Sequence, residues 1–346
     1  MPLFLLSKGS PLIRISELKQ RACSTDKLRL ALAVCLAIAF AGNAQNNVLK
    51  NVAAEDRPDA VRVEMRNVTY HFTDSISAHI FHLQGTLTSI TKGTIPFFDD
   101  KNSFVLAISS AEISIATDVM SNVLNQNVFS ASDAPLKGIE VGSEGDALRI
   151  KGRLHSKGDI PFETIGRMSV TPDGEIRIHP EKVKAGHLPV KGLMDLLGLK
   201  ISNLISTKKV RGIRTEGNDL LLNPGQILPP PQIQGRLTNV RVKGSQIIQT
   251  FGTTLPDRGS KQTGNYMSYR GAQLRFGKLT MDDTDMVLLD MDPQDPFDFY
   301  LDRYKQQLSA GYTKITPAFG LRVYMRDFNK LPKAQSKKSE STKTVR

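Results

Sequence analysis

The stretch from His187 to Ile205, H-L-P-V-K-G-L-M-D-L-L-G-L-K-I-S-N-L-I, puts the tightest limit on what this chain can become. Leu193, Met194, Leu196, Leu197, Leu199, Ile201, Leu204 and Ile205 cover far more than one stripe of a helix. A helix that is apolar on most sides has to be wrapped, because a surface helix keeps a polar face at 3.6-residue spacing. The wrapper has to come from the neighbouring segments, and these read as strands. The expected fold class is therefore α+β: a strongly curved antiparallel β-sheet wrapping an apolar helix. A smaller β-rich C-terminal region carrying one amphipathic helix completes it.

Val61, Val63 and Met65 alternate with charged residues, as do Leu83, Gly85 and Leu87 with Gln84 and Thr86, which is the period of a half-buried strand. Phe104 to Ala116 is a third such run. At Thr117-Asp118 the period becomes helical: Val119 or Met120, Val123, Leu124 and Val128 share a face, and Thr117 or Asp118 is placed to cap it. Short strands separated by turn pairs follow, at Gly138 to Val141, Leu148 to Leu154, Met168 to Thr171 and from Ile176, which spells an antiparallel meander. Leu220 to Leu222, Arg236 to Val242 and Ile247 to Phe251 continue it. Positions 253–265 are turn formers throughout. Beyond them the pattern predicts strands at Gln273 to Met281 and Met286 to Met291, a helix with Phe297, Leu301, Tyr304 and Leu308 on one face, and a last strand from Gly320 to Phe328.

The N-terminus limits the compartment. A basic start at Lys27, an apolar run from Leu30 to Ala41 and the small residues Gly42 and Ala44 follow the order of a cleavable signal peptide. As a helix the run spans roughly 18 Å, well short of a bilayer's hydrocarbon core. Cleavage is expected after Ala44, with a periplasmic or cell-envelope destination. Both cysteines, Cys23 and Cys35, fall in this leader, so the remainder has no thiol chemistry and is stabilised by burial alone. The net charge of +12 divides into +4 for residues 1–44, +5 for the tail from Lys330 and only +3 for the body between. That leaves no argument for nucleic acid, which needs clustered Lys and Arg on a folded face. The expected organisation is a signal peptide (1–44), a flexible lead-in (45–60), a curved-sheet domain (61–252), a C-terminal extension (265–330) and a disordered basic tail (331–346).

Chemistry-bearing motifs are scarce. Of the six histidines only His79 and His82 are close, and on a regular strand residues three apart point to opposite faces. No Gly-x-Ser-x-Gly, phosphate-cradling glycine loop or His-Glu-x-x-His occurs. No catalytic residue and no cofactor is therefore expected. The acidic stretch containing Asp290, Asp292, Asp295 and Asp298 packs hard oxygen ligands that suit calcium, and equally suits a helix N-terminus in which Asp295 and Asp298 cap amides. The basic turn Lys208, Lys209, Arg211 and Arg214 reads either as a solvated hairpin or as a contact for anionic lipid headgroups at a membrane surface.

The order of a helix at 118–129, then L-K-G-I-E-V, D-A-L-R-I-K-G-R-L, I-P-F-E-T-I-G-R-M-S-V and the apolar stretch resembles the LmeA-type phospholipid-binding family of exported bacterial proteins. The likeness covers about residues 61–251. It implies a fold similar to the tubular lipid-binding domains, and a phospholipid or other amphiphile in an apolar groove lined by Leu193, Leu196, Leu197, Leu199, Ile201 and Leu204. Two other readings stand beside it: an envelope scaffold with a filled core, and a calcium-dependent or hydrolytic enzyme using the acidic stretch.

Overall fold

The computed structural model describes residues 60–155, 159–186, 188–189, 207, 210–253 and 262–332. The leader, the lead-in, the apolar segment from Leu193 to Leu204, Lys208, Lys209 and the tail from 333 lie outside these residues. Strands hold 55% of the described residues and helices 12%, more than twice the usual share of strand, so the β-rich expectation is met.

Three long strands form the centre: β1 (Val61–His71), β2 (Ser77–Ser89) and β3 (Phe104–Ala116), joined antiparallel in the order β3-β2-β1. Their alternation is interrupted at one place. Asn67 takes a left-handed backbone (φ 52), which Asn tolerates better than most residues, and opposite it β2 bulges between Ile80 and His82. Burial resumes in a new phase on both strands, with Met65 and Val68 and with Ile80 and Leu83 all in the core. The bulge also overturns the opposite-face reading of the two histidines, since His79 and His82 both stay outside the core. A second irregularity sits at Gly85, where a Cβ would come within 2.3 Å of the Ala107 carbonyl oxygen, so only glycine allows the approach of β3.

A helix leaves β3 without a break: α1 (Thr117–Asn122), continued by a π-helical turn (Val123–Val128). Met120, Val123, Leu124 and Val128 are buried, as the periodicity requires. The expected side-chain cap is absent, because Ala116 occupies the cap position and the Thr117 amide donates to the Ser245 carbonyl at 2.9 Å. Side chains fasten this helix to its surroundings. Asn125 donates to the Ile139 carbonyl (2.7 Å) and accepts from its amide (2.8 Å), and Asn127 donates to the Ile227 carbonyl (2.6 Å).

The meander follows as β4 (Leu136–Glu144), β5 (Ala147–Leu154), β6 (Ile160–Val170) and β7 (Ile176–Ala185), with β8 (Leu188–Pro189), β9 (Ile213–Glu216) and β10 (Asp219–Leu222) completing a seven-stranded antiparallel sheet. One turn of helix, α2 (Pro224–Ile227), returns the chain to the first sheet. There β11 (Gln232–Gln234) lies parallel to the start of β3, while β12 (Leu237–Lys243) and β13 (Gln246–Gly252) add to its end, β13 antiparallel.

The C-terminal segment does on β1 what these strands do on β3. β14 (Tyr266–Gly271) pairs antiparallel with Val61–Arg66, and β18 (Phe297–Tyr300) pairs parallel with Val68–His71, the change of partner falling at Asn67. Between them β15 (Leu274–Phe276) and β16 (Leu279–Met281) form a small hairpin, so the expected single strand from Gln273 to Met281 is folded in two at Gly277. β17 (Thr284–Asp290) pairs with β14. After β18 come a 3-10 turn (Leu301–Arg303), α3 (Tyr304–Ser309), the edge strand β19 (Tyr312–Ile315) and β20 (Leu321–Met325). β20 runs parallel beside β17. The amphipathic helix predicted from Phe297 is therefore shorter than its sequence pattern: Phe297–Tyr300 joins the ladder of β1, where all four residues are buried. Asp295 and Asp298 consequently do not cap the helix expected from Phe297.

The first sheet holds eleven strands among the described residues and is mixed, and one contiguous apolar core draws on both large sheets. No helix among the described residues is long and apolar enough to cross a membrane.

Candidate functional site

The inner faces of β1, β2 and β3 are largely apolar on either side of the bulges, and the segment from Leu228 to Ile233 lies against them. Between the two is a cavity of about 50 Å³. Val63, Leu83, Leu106 and Ile108 line it from the strands, Leu228, Pro231 and Ile233 from the crossing segment, and Phe98, Tyr269 and Phe299 at an aromatic end. The only polar side-chain atoms in the wall are phenolic. Burial raises the pKa of Tyr70, with the charge of Asp302 adding to it, and burial likewise raises that of Tyr269. Both rings stay neutral, so the cavity carries no charge. Phe98 fixes the aromatic end by meeting Tyr269, Phe276 and Tyr304 at centroid distances of 5.3, 5.2 and 6.0 Å, within the range of favourable edge contacts.

A second pocket, of about 430 Å³, has opposite chemistry. Arg211, Asn223, Gln226, Gln232 and Gln234 supply one guanidinium and four carboxamides. Ile233 lines both spaces and is the partition between them. It is held there by pairing with Leu106 on β3. Gly225 allows α2 to approach, since a Cβ at that position would stand 2.3 Å from the Ile233 carbonyl oxygen. Asn223 caps α2 by accepting from the Gly225 amide at 3.1 Å. These groups can hydrogen-bond a polar or anionic moiety.

The basic turn divides between roles. Arg211 lies on the polar pocket and has no ion-pair partner among the described residues. Arg214 is held by Glu175 at 2.7 Å and Glu216 at 3.0 Å, and the Glu175 hydrogen bond raises its pKa. Its charge is therefore answered within the protein. Lys208 and Lys209, like the leucines of the apolar segment, lie outside the described residues.

The acidic stretch is also divided. Asp290 and Asp292 come together, but Asp295 turns away to Lys330 at 2.7 Å. The third carboxylate of the group is Asp327, whose side chain is wholly buried. Burial holds the Asp327 carboxyl up at about 6 and raises that of Asp290 as well. Nothing near Asp327 in the sequence signals this partnership. It arises because β17 and β20 run parallel, Asp290 opposite Met325, and leave the sheet at the same end.

Nearby, His71 Nε2 is 2.5 Å from Asp298 Oδ1, and Asp298 Oδ2 accepts from the Asn329 amide at 3.0 Å. The aromatic rings of Tyr300 and Phe328 flank this pair. It ties β1 to the chain after β20. No family model, curated protein or solved structure matches this chain.

Proposed function

We propose that this is an exported, non-enzymatic protein that binds a phospholipid or comparable amphiphile at the cell envelope, of the kind the LmeA-type resemblance implies. The observation carrying this reading is the juxtaposition at Ile233: an uncharged cavity walled by apolar and aromatic side chains on one side and a pocket of amides and Arg211 on the other. An amphiphile has the same division. The apolar segment around Leu193 to Leu204 is proposed as a helix wrapped by the sheet, where it would add further apolar wall. Lys208 and Lys209 would add positive charge on the headgroup side.

Magnitudes set how such a ligand enters. A 50 Å³ cavity accepts the end of an alkyl chain, a few methylenes at roughly 0.8 kcal/mol each. A longer chain requires the Leu228–Ile233 segment to give way. The same small volume supports a second reading, a scaffold whose core is effectively filled.

One variant separates the two. Ala78 lines the cavity and is buried, so Ala78→Leu places three more carbons in it. On the amphiphile reading, the purified protein yields lipid on solvent extraction and takes up a fluorescent acyl probe saturably. Ala78→Leu then weakens uptake by tenfold or more while stability holds or rises by about 1 kcal/mol, the cost of a cavity this size at about 24 cal/mol per Å³. A wild-type protein that releases no lipid and takes up no probe would leave the scaffold reading standing.

A further inference from the structure

The two most exposed large apolar side chains among the described residues stand four positions apart in one turn: Ile315 is 72% exposed and Phe319 is 91%. Pro317 and Ala318 between them are exposed as well. Single apolar residues on a surface are ordinary, but four within five positions at the tip of the β19–β20 hairpin make a patch. The tip is also held at a cost. Phe319 has a left-handed backbone (φ 59), which suits glycine or asparagine and disfavours a bulky residue. Three hydrogen bonds fix it there: the Thr316 amide donates to the Gly320 carbonyl at 2.8 Å, the Phe319 amide to the Thr316 carbonyl at 2.9 Å, and the Gly320 amide to Thr316 Oγ1 at 2.9 Å. Gly320 is pressed onto the sheet, where a Cβ would collide with the Asp285 carboxylate. A phenyl ring kept in a strained conformation and handed to solvent returns nothing to the fold.

Behind the tip the chemistry changes. Tyr312 and Tyr324, opposite one another in the β19–β20 ladder, stack at 4.5 Å and 13°. The Lys314 ammonium lies over both rings, 5.3 and 5.5 Å from their centroids, and has no carboxylate partner among the described residues. Beside it Arg322 and Arg270 share one carboxylate, Asp285, at 3.0 and 3.6 Å. The sequence from Arg303 to Arg326 contains no Asp or Glu, and Asp282 and Asp283 precede β17, which lies across β20 from β19. The hairpin therefore carries surplus positive charge and paired tyrosines behind an apolar tip. A bilayer offers the complement in the same order, anionic headgroups above hydrocarbon, with tyrosine favoured at the boundary. A second copy of the chain fits less well. β19 offers four edge residues, Lys314 among them opposes the pairing of two sheet edges, and one tip falls far short of the roughly 800 Å² per partner of a stable interface. A fluid surface needs no complementary shape.

We propose that the β19–β20 tip docks this protein on an anionic phospholipid bilayer: Ile315, Pro317, Ala318 and Phe319 enter the interfacial layer, the stacked tyrosines stand at headgroup depth, and Lys314 meets the phosphates. This docking is independent of what the cavity beside Ile233 holds.

The test exploits the absence of tryptophan from the chain: Phe319→Trp in the full chain supplies a single indole, at the tip itself. The variant is titrated with vesicles of phosphatidylcholine containing about one-third phosphatidylglycerol, and with vesicles of phosphatidylcholine alone. The expected result is a blue shift of the indole emission on the anionic vesicles and its quenching by brominated acyl chains. In the same background Lys314→Gln should weaken partitioning about fivefold, the worth of one cation near a charged surface. Phe319→Gly, which relieves the left-handed backbone, should melt at the same or a higher temperature, and a lower one would show that the ring serves the fold and overturn the proposal. An indole whose emission does not move on anionic vesicles overturns it too, even if the chain binds them elsewhere. So does an indole already buried in a dimer without vesicles, which would assign the tip to a second copy. Uptake of the acyl probe, read on the same samples, keeps failure of docking distinct from failure of the cavity reading.

Discussion

Phe98 takes part in more ring contacts than any other of the described residues. It comes from the F-F-D-D-K-N stretch, which by composition is a turn, and the turn is present: Ser103 donates its amide to the Asp100 carbonyl at 2.9 Å. The turn's own carboxylate, Asp99, accepts from the Gly277 amide at 3.2 Å and from the Tyr304 hydroxyl at 3.2 Å, which draws the β15–β16 hairpin and α3 over the ring. Truncation to Phe98→Ala removes the hub of four ring contacts from a site only 2% exposed, and the expected loss is about 3–5 kcal/mol, read by urea denaturation. A loss below 1 kcal/mol would show that the surrounding rings close the gap. At this scale the sequence is a partial guide. The buried positions of β1 to β3 are legible because alternation is local, whereas Asp327 and Phe98 acquire their importance from segments roughly 35 and 170 to 200 residues away.

Among the elements, α3 is short and would be marginal alone, since isolated helices need a dozen or more residues. It is fixed by one fully buried amide. Gln307 donates to the carbonyls of Asp298 and Arg326, both at 2.8 Å, and accepts from the Tyr300 amide at 2.9 Å. Gln307→Leu keeps the volume but leaves three backbone groups without partners, and the expected cost is roughly 2–5 kcal/mol with local loosening of β18 and β20. Chemical denaturation of the variant checks the size, and faster amide exchange confined to 297–309 and 321–330 checks the place. The predicted helix from Phe297 went astray at this scale for a physical reason. Phe297-Asp-Phe-Tyr300 satisfies a helical stripe and a strand alternation alike, and the vacant edge of β1 beyond Asn67 decides for the strand. β3 and the start of α1, by contrast, fall where the change of period puts them.

Taken whole, the molecule is a three-strand centre with a matched pair of additions on each flank, one long antiparallel strand and one short parallel strand on β3 and again on β1. Protection should follow this plan. Amides of β1 and β2 are expected to exchange only with global unfolding, and those of β19, all four residues exposed at the sheet edge, to exchange first. Hydrogen exchange read by mass spectrometry tests this, and Val61–His71 exchanging before Tyr312–Ile315 would contradict it. The plan explains why the candidate site was only half readable. The apolar face of β1 to β3 is written in period-two runs, but the crossing segment that closes the cavity and divides it from the amide pocket is placed by a parallel pairing, which leaves no periodic trace.

The split flank of β1 also imposes an order in time. As the chain is made from its N-terminus, Val61–His71 is the first of the described strands to emerge, yet its second neighbours are Tyr266–Gly271 and Phe297–Tyr300, about two hundred residues later. For most of that interval the earliest strand waits with one side bare, held only by β2. A chain that stops after Gly252 never covers it, and such a fragment would carry its stickiest edge at the heart of its own sheet.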